Sequence, residues 1–269
     1  MLGAIAGDVI GSRFEHAGIK SKDFELFNRQ SVFTDDTVHT VALADSLLHN
    51  VPYQEKLREY YHHYPNVGYG GRFRAWVRST TAAPYGSYGN GSAMRVSPVA
   101  WLFDTLDDVL SEAMRSAEVT HNHPEGLLGA QAVAAATFMA RKGARKSLIR
   151  AYIEDSFNYD LSATIDEIRP DYNYDVSCQG SVPQAIMAFL EAKDFEDAVR
   201  NAVSLGGDSD TQACIAGGIA EAYFGRVPDH IAAQTLFCLD ERLSSVLNLF
   251  YEKASNRESA GSGASFFVS

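Results

Sequence analysis

Apolar residues recur along this chain at helical rather than strand spacing. Leu2, Ile5, Ala6, Val9 and Ile10 mark one face of an N-terminal helix. Val38, Val41, Ala42, Ala44, Leu47 and Leu48 do the same over 36–49, and Leu106, Val109, Leu110, Ala113, Met114 and Ala117 follow a cap at Asp104 or Thr105. Pro124 opens an alanine-rich helix to about Arg141, since proline is preorganised for a first helical turn. The spacing predicts further helices over 182–191, 195–203, 210–224 and 239–253. No series of alternating β-branched segments interrupts them. The expected fold is therefore all-α, a compact orthogonal or bundle-like helical domain.

A chain of 269 residues with 46% apolar content can bury one substantial core. No Pro/Ser/Gly-rich linker divides it, so one domain is expected over 1–253, followed by a flexible tail over 254–269 that contains Ser-Ala-Gly-Ser-Gly-Ala-Ser. The Asn/Asp/Tyr/Pro mixture of 156–180 predicts a long surface excursion, either functional or a variable insertion. The formal net charge of −11 excludes a broad surface for nucleic acid or anionic membrane. A pyrophosphate can still be held locally, by helix N-termini and backbone N–H groups. Cys178, Cys214 and Cys238 form no CxxC and no disulfide framework, which suits a reducing cytoplasm. The first ten residues lack a basic region and are interrupted by Asp8, and no apolar run is long enough to span a bilayer.

Two helix starts carry more acid than a helix needs. They are Thr34-Asp35-Asp36-Thr37 and Asp208-Ser209-Asp210-Thr211, the latter behind Gly206-Gly207. Capping explains one such side chain, because an oxygen accepts an orphan N–H, and the helix dipole favours one carboxylate in the first turn. Two carboxylates plus a threonine hydroxyl at each start fit hard cations such as Mg²⁺ or Mn²⁺ instead. Four converging carboxylates repel unless cations neutralise them, so an acidic dinuclear site is the expected outcome. Gly86, Gly89 and Gly91 permit positive φ and close approach of backbone N–H groups to phosphate, or form an ordinary turn. His121 and His123 lack a second ligand pair at zinc spacing. Ala216, Gly217, Gly218 and Ala220 predict close helix packing beneath Asp210.

These segments, taken in order, resemble the ADP-ribosylglycohydrolase family. The matching elements are Gly3–Asp8 with Gly11 and Glu15, Thr34–Thr37, Gly89-Asn90-Gly91-Ser92-Ala93-Met94-Arg95, Thr120-His121, and Gly206–Thr211. The resemblance implies metal ligation by Thr34, Asp35, Asp36, Asp208, Asp210 and Thr211, and a catalytic or gating role for Glu15 beside Asp35 and Asp36. It implies that Gly86, Ser87, Tyr88, Gly89 and Asn90 hold a diphosphate and distal ribose, with His121 near the phosphates. The implied activity is hydrolysis of the C1″ bond of ADP-ribose on an acceptor, a protein side chain or a nucleobase, with two divalent cations. A non-catalytic ADP-ribose-binding or structural paralogue is the alternative. A helical metal phosphohydrolase fits less well, because the chain has no His-Asp dipeptide.

Overall fold

The structure, a computed structural model, describes residues 1–81 and 83–263. Among these the regular elements are helices and no strand occurs. The first half holds α1 (Leu2–Gly11), α2 (Asp35–His49), α3 (Tyr53–His63), α4 (Gly71–Arg78), α5 (Gly91–Met94), α6 (Val99–Leu102) and α7 (Leu106–Glu118). The second holds α8 (Pro124–Arg141), α9 (Lys146–Phe157), α10 (Ile165–Ile168), α11 (Cys178–Glu191), α12 (Phe195–Val203), α13 (Ser209–Phe224), α14 (Asp229–Cys238) and α15 (Glu241–Gly263).

The centre of the fold is the antiparallel pair α1 and α13, whose contact is the most extensive in the molecule. It depends on glycines spaced one turn apart. A Cβ at Gly3 would lie 2.3 Å from the Gly217 carbonyl oxygen, and one at Gly7 would lie 1.9 Å from that of Ala213. Backbone therefore touches backbone, as the run of small residues near Gly217 predicts. Both helices are buried nearly all round, so neither has a polar face to offer water. The pairing sets the C-terminal end of α1 against the N-terminal end of α13. Asp8 and Asp210 come close together for that reason.

Thr105 does cap α7, Pro124 does open α8, and α12 spans the predicted 195–203. Helices α3, α4, α9 and α14 were not legible as apolar stripes. In α4 the buried set is Phe73, Trp76 and Val77, one turn of anchors between arginines and glycines. In α14 only Ile231 and Thr235 are buried, while Phe237 is exposed. The 239–253 expectation meets α15, which continues beyond it because Ala254 is buried and Arg257 pairs with Asp104 at 2.7 Å. That helix runs through the first part of the predicted tail, and 264–269 lie outside the described residues. The 156–180 excursion is mostly exposed but anchored by Phe157, Tyr159, Leu161 and Ile165, and its returning segment edges the acidic cavity at Tyr174 and Val176. No described helix is long and apolar enough to cross a membrane.

Candidate functional site

The two acidic helix starts meet in one cavity of about 340 Å³, in the size range of small-molecule sites. A wider groove of about 730 Å³ between Ser46–Gln54 and Phe103–Val119 lies apart from this chemistry. Its Glu112 is already engaged by Tyr53 and Arg115. The smaller cavity therefore concentrates the groups that need an explanation.

Capping does not account for the carboxylates. The first-turn donors of α2 are satisfied by other groups: Asp35 N–H donates to the Val67 carbonyl at 2.7 Å, Asp36 N–H to Thr34 Oγ1 at 3.2 Å, and Thr37 N–H to Asp8 Oδ2 at 3.1 Å. Asp8 also accepts from Thr34 N–H at 2.9 Å, from the Thr34 hydroxyl at 2.7 Å, and from the Thr37 hydroxyl. This one carboxylate, in mid-helix on α1, clamps the entry to α2. Asp208 stands at the N-cap of α13 without a capping bond, and its Oδ2 accepts from Asn90 Nδ2 at 2.7 Å instead.

Asp36 is 2% exposed and Asp210 is 4% exposed, and each keeps one carboxylate oxygen, Oδ1, with no partner. The other oxygen of Asp36 accepts from the Thr211 hydroxyl at 3.2 Å. Glu15, Asp208 and Asp210 bring ligand oxygens within 4.8 Å of one another. Burial raises Asp8, Asp35, Asp36, Asp208 and Asp210. Asp8 and Asp208 are pushed up to about 6, and Asp35 to about 8 with added repulsion from Asp8, Asp208 and Glu15. Asp36 and Asp210 rise well above the usual range for the same two causes, burial first. An all-oxygen set with orphaned, buried, mutually repelling carboxylates is what a hard cation relieves, so these residues fit such an ion. Thr34 serves this array from behind, bonded to Asp8, and does not line the cavity.

The opposite wall comes from Ser87, Gly89, Asn90, Gly91 and His121, with Tyr174 and Val176 from the excursion. The loop is pinned to that excursion: Asn90 N–H donates to the Val176 carbonyl at 2.8 Å and Cys178 N–H to the Tyr88 carbonyl at 2.9 Å. Two expectations for the loop need correction. Among its glycines only Gly86 has positive φ, at 62°, whereas Gly89 and Gly91 lie outside that region. The N–H groups of Gly86, Ser87, Gly89 and Asn90 are also already committed, to Asn122 Oδ1, the Thr120 carbonyl, Ser87 Oγ and the Val176 carbonyl. Those four cannot form a free cradle, because the loop uses them to hold its own shape. Gly86 and Tyr88 do not line the cavity, and Tyr88 packs edge-on against His123.

His121 sets Nδ1 2.7 Å from the Thr120 hydroxyl and turns Nε2 toward Gly91. Burial, then the charge of Arg95, lowers its basicity well below the usual value, so the ring is neutral. Arg95 is fully buried, donating to the Ser116 carbonyl and the Thr120 hydroxyl, both at 2.9 Å. His39, one turn below Asp36, is buried with both ring nitrogens unpartnered, and it too lines the cavity. Glu15 sits at the rim, where the Tyr174 hydroxyl donates to it at 3.4 Å.

The ADP-ribosylglycohydrolase family model matches residues 1–259. The chain belongs to the ADP-ribosylglycohydrolase family. Within it, the chain is 27% identical to the ADP-ribosylhydrolase ARH3 of Danio rerio, across 84% of this chain and 81% of that protein. It is 26% identical to ARH3 of Homo sapiens, across 85% and 86%. A solved structure titled ADP-ribosylglycohydrolase-related protein complex superposes with a TM-score of 0.71 at 26% identity, covering 94% of this chain and 97% of that one.

Reasoning from sequence assigned no role to Asp8, His39, Arg95 or Tyr174. Asp8 had a signal, as the lone carboxylate within an apolar helix. Arg95 closes the Gly89–Arg95 element and Tyr174 lies in the 156–180 excursion, but only the fold carries these two and His39 to the cavity.

Proposed function

We propose that this ADP-ribosylglycohydrolase family member hydrolyses the C1″ glycosidic bond joining ADP-ribose to an acceptor, using two divalent cations, Mg²⁺ or Mn²⁺. Asp35, Asp36, Asp208, Asp210 and Thr211 hold the cations, with Thr34 placed to join them if its bond to Asp8 yields. Bound there, the cations supply Lewis-acid activation of water and orientation of the ribose hydroxyls. The chain's own groups do the rest. The four carboxylates of Asp35, Asp36, Asp208 and Asp210 balance the charge of two divalent cations, so the loaded cavity does not oppose the oxocarbenium-like charge that develops at C1″ as its bond to the acceptor lengthens. Water adds to C1″, the acceptor leaves, and Glu15 moves the proton between them. The Ser87 hydroxyl and Nε2 of neutral His121 offer donors to the diphosphate, and Asn90, whose own donors go to Asp208, Ser181 and Val176, holds in shape the wall that Gly86 and Tyr88 brace.

The observation that carries this reading is the pair of unpartnered, buried carboxylate oxygens, Asp36 Oδ1 and Asp210 Oδ1, on two residues that line one cavity. The relatives named ADP-ribosylhydrolase support the choice of substrate. The three free cysteines support a reducing cytoplasm. Calorimetry of ADP-ribose with and without Mg²⁺, followed by measurement of free ADP-ribose released from modified acceptors, tests it. Binding without release from any acceptor would favour the non-catalytic paralogue.

A further inference from the structure

The chain carries 34 acidic residues, yet none falls between Tyr60 and Phe103, a stretch that contains Arg72, Arg74, Arg78 and Arg95. That stretch forms the cavity wall facing the carboxylates, and α4 starts at its mouth: Gly70, Gly71, Arg72 and Phe73 all line the cavity. With Phe73, Trp76 and Val77 buried, the exposed side of α4 carries Arg72, Arg74 and Arg78. Arg74 and Arg78 stand one turn apart, a like-charge spacing that disfavours an isolated helix. Among the other exposed arginines, Arg115 pairs with Glu112 and Arg257 with Asp104, while Arg29, Arg145 and Arg226 stand singly without an ion pair among the described residues, so what distinguishes α4 is three arginines gathered on one short helix. Among the described residues no ion pair involves Arg72, Arg74 or Arg78. Arg72 instead stacks over the Tyr85 ring, 5.1 Å from its centroid, at the rim of the cavity.

Resting on the hydrolase reading above, we propose that the exposed face of α4 docks an acidic peptide segment of the ADP-ribosylated acceptor, beside the residue that enters the cavity. Guanidinium forks in fixed helical positions suit carboxylates, and the half-exposed Tyr174 and Val176, which line the same cavity, give the peptide an apolar partner. A long polyanion is a poorer occupant, because beyond α4 it meets a chain of net charge −11.

Arg74→Glu separates docking from folding. It places a glutamate four residues ahead of Arg78, the stabilising order on a helix, so the thermal midpoint should hold or rise. Fluorescence anisotropy of a labelled Glu-rich peptide, a Lys-rich counterpart and an oligothymidylate is measured on wild type, Arg74→Glu and Arg74→Gln/Arg78→Gln. The Glu-rich peptide should bind wild type best, lose roughly tenfold in affinity in both variants, and weaken in high salt. Equal affinity for the Glu-rich and Lys-rich peptides, or no loss in either variant, overturns the proposal. Arginine-dependent binding of the oligothymidylate above the Glu-rich peptide also overturns it, in favour of nucleic acid. ADP-ribose calorimetry on the same proteins keeps the two readings apart. Unchanged ADP-ribose affinity in the variants is expected, whereas a wild type that binds no ADP-ribose refutes the hydrolase reading and not the peptide face.

Discussion

Replacing Asp36 by asparagine should have opposite effects on stability with and without divalent cation. The carboxyl is buried, repelled by Asp8, Asp35 and Asp208, and held well above its ordinary value of 3.8. A carboxyl raised in the folded state binds more protons folded than unfolded, so it costs stability progressively as pH climbs above the unfolded value. Its unpartnered Oδ1 makes the ionised group an uncompensated buried charge, a feature that costs about 3 kcal/mol in a folded protein. Sharing of protons among the neighbouring acids spreads that cost over the cluster. Asparagine keeps the volume and escapes this cost. Cation-free Asp36→Asn should therefore melt above cation-free wild type by about 5–15 °C at pH 7, with the gap closing near pH 4. Saturating Mg²⁺ at about a hundredfold above Kd adds about 2.7 kcal/mol to wild type and little to the variant. Scanning calorimetry in EDTA and in excess Mg²⁺ reads both values. A variant less stable than wild type in EDTA at pH 7, or an equal gain of both proteins from Mg²⁺, would refute the reasoning.

Other outcomes follow from the same geometry. Cation-free wild type should lose stability as pH rises from about 4 to about 8, the window in which Asp8 and Asp208, at about 6, and Asp35, at about 8, ionise in the folded state; a flat midpoint over that range contradicts it. Gly7→Ala should cost about 3 kcal/mol or more in a denaturant titration, because the new Cβ meets the Ala213 carbonyl 1.9 Å away. Gly86→Ala, at φ 62°, should cost about 1 kcal/mol and weaken ADP-ribose binding in calorimetry, while Gly89→Ala, outside the positive-φ region and needing only a few tenths of an ångström from Ser87 Oγ at 3.3 Å, should be milder. Glu15→Gln should keep ADP-ribose affinity and lower turnover by roughly 10²-fold, read as free ADP-ribose released; wild-type turnover removes Glu15 from the chemistry.

The sequence makes legible what repeats or exceeds a local need. Helices with long apolar stripes, such as α7, α8 and α12, show themselves through periodicity. The two acidic helix starts show themselves because capping uses one side chain where four carboxylates stand. Helix α4 does not, since three buried anchors in eight residues are too short a pattern against flanking glycine and arginine. Asp8 shows how a buried polar group serves a neighbouring element: its partners Thr34 and Thr37 are remote in sequence. The Gly86–Asn90 loop was readable as special, but not as self-bonded, because the groups that occupy its N–H donors include Asn122 and Val176. His39 and Arg95 reach the cavity only through the packing of α2 and α5 around it.

The most direct test is release of free ADP-ribose from a panel of modified acceptors, carrying serine-, arginine-, nucleobase- and O-acyl-linked ADP-ribose. Protein stripped with EDTA is assayed alone, with Mg²⁺ and with Mn²⁺, and its metal content is measured in parallel. The account predicts release from at least one acceptor that stops on stripping, returns with Mg²⁺ or Mn²⁺, and fails in Asp36→Asn and Asp210→Asn. Full release after stripping, a zinc content equal to that of the protein, or wild-type rates in both variants would contradict it.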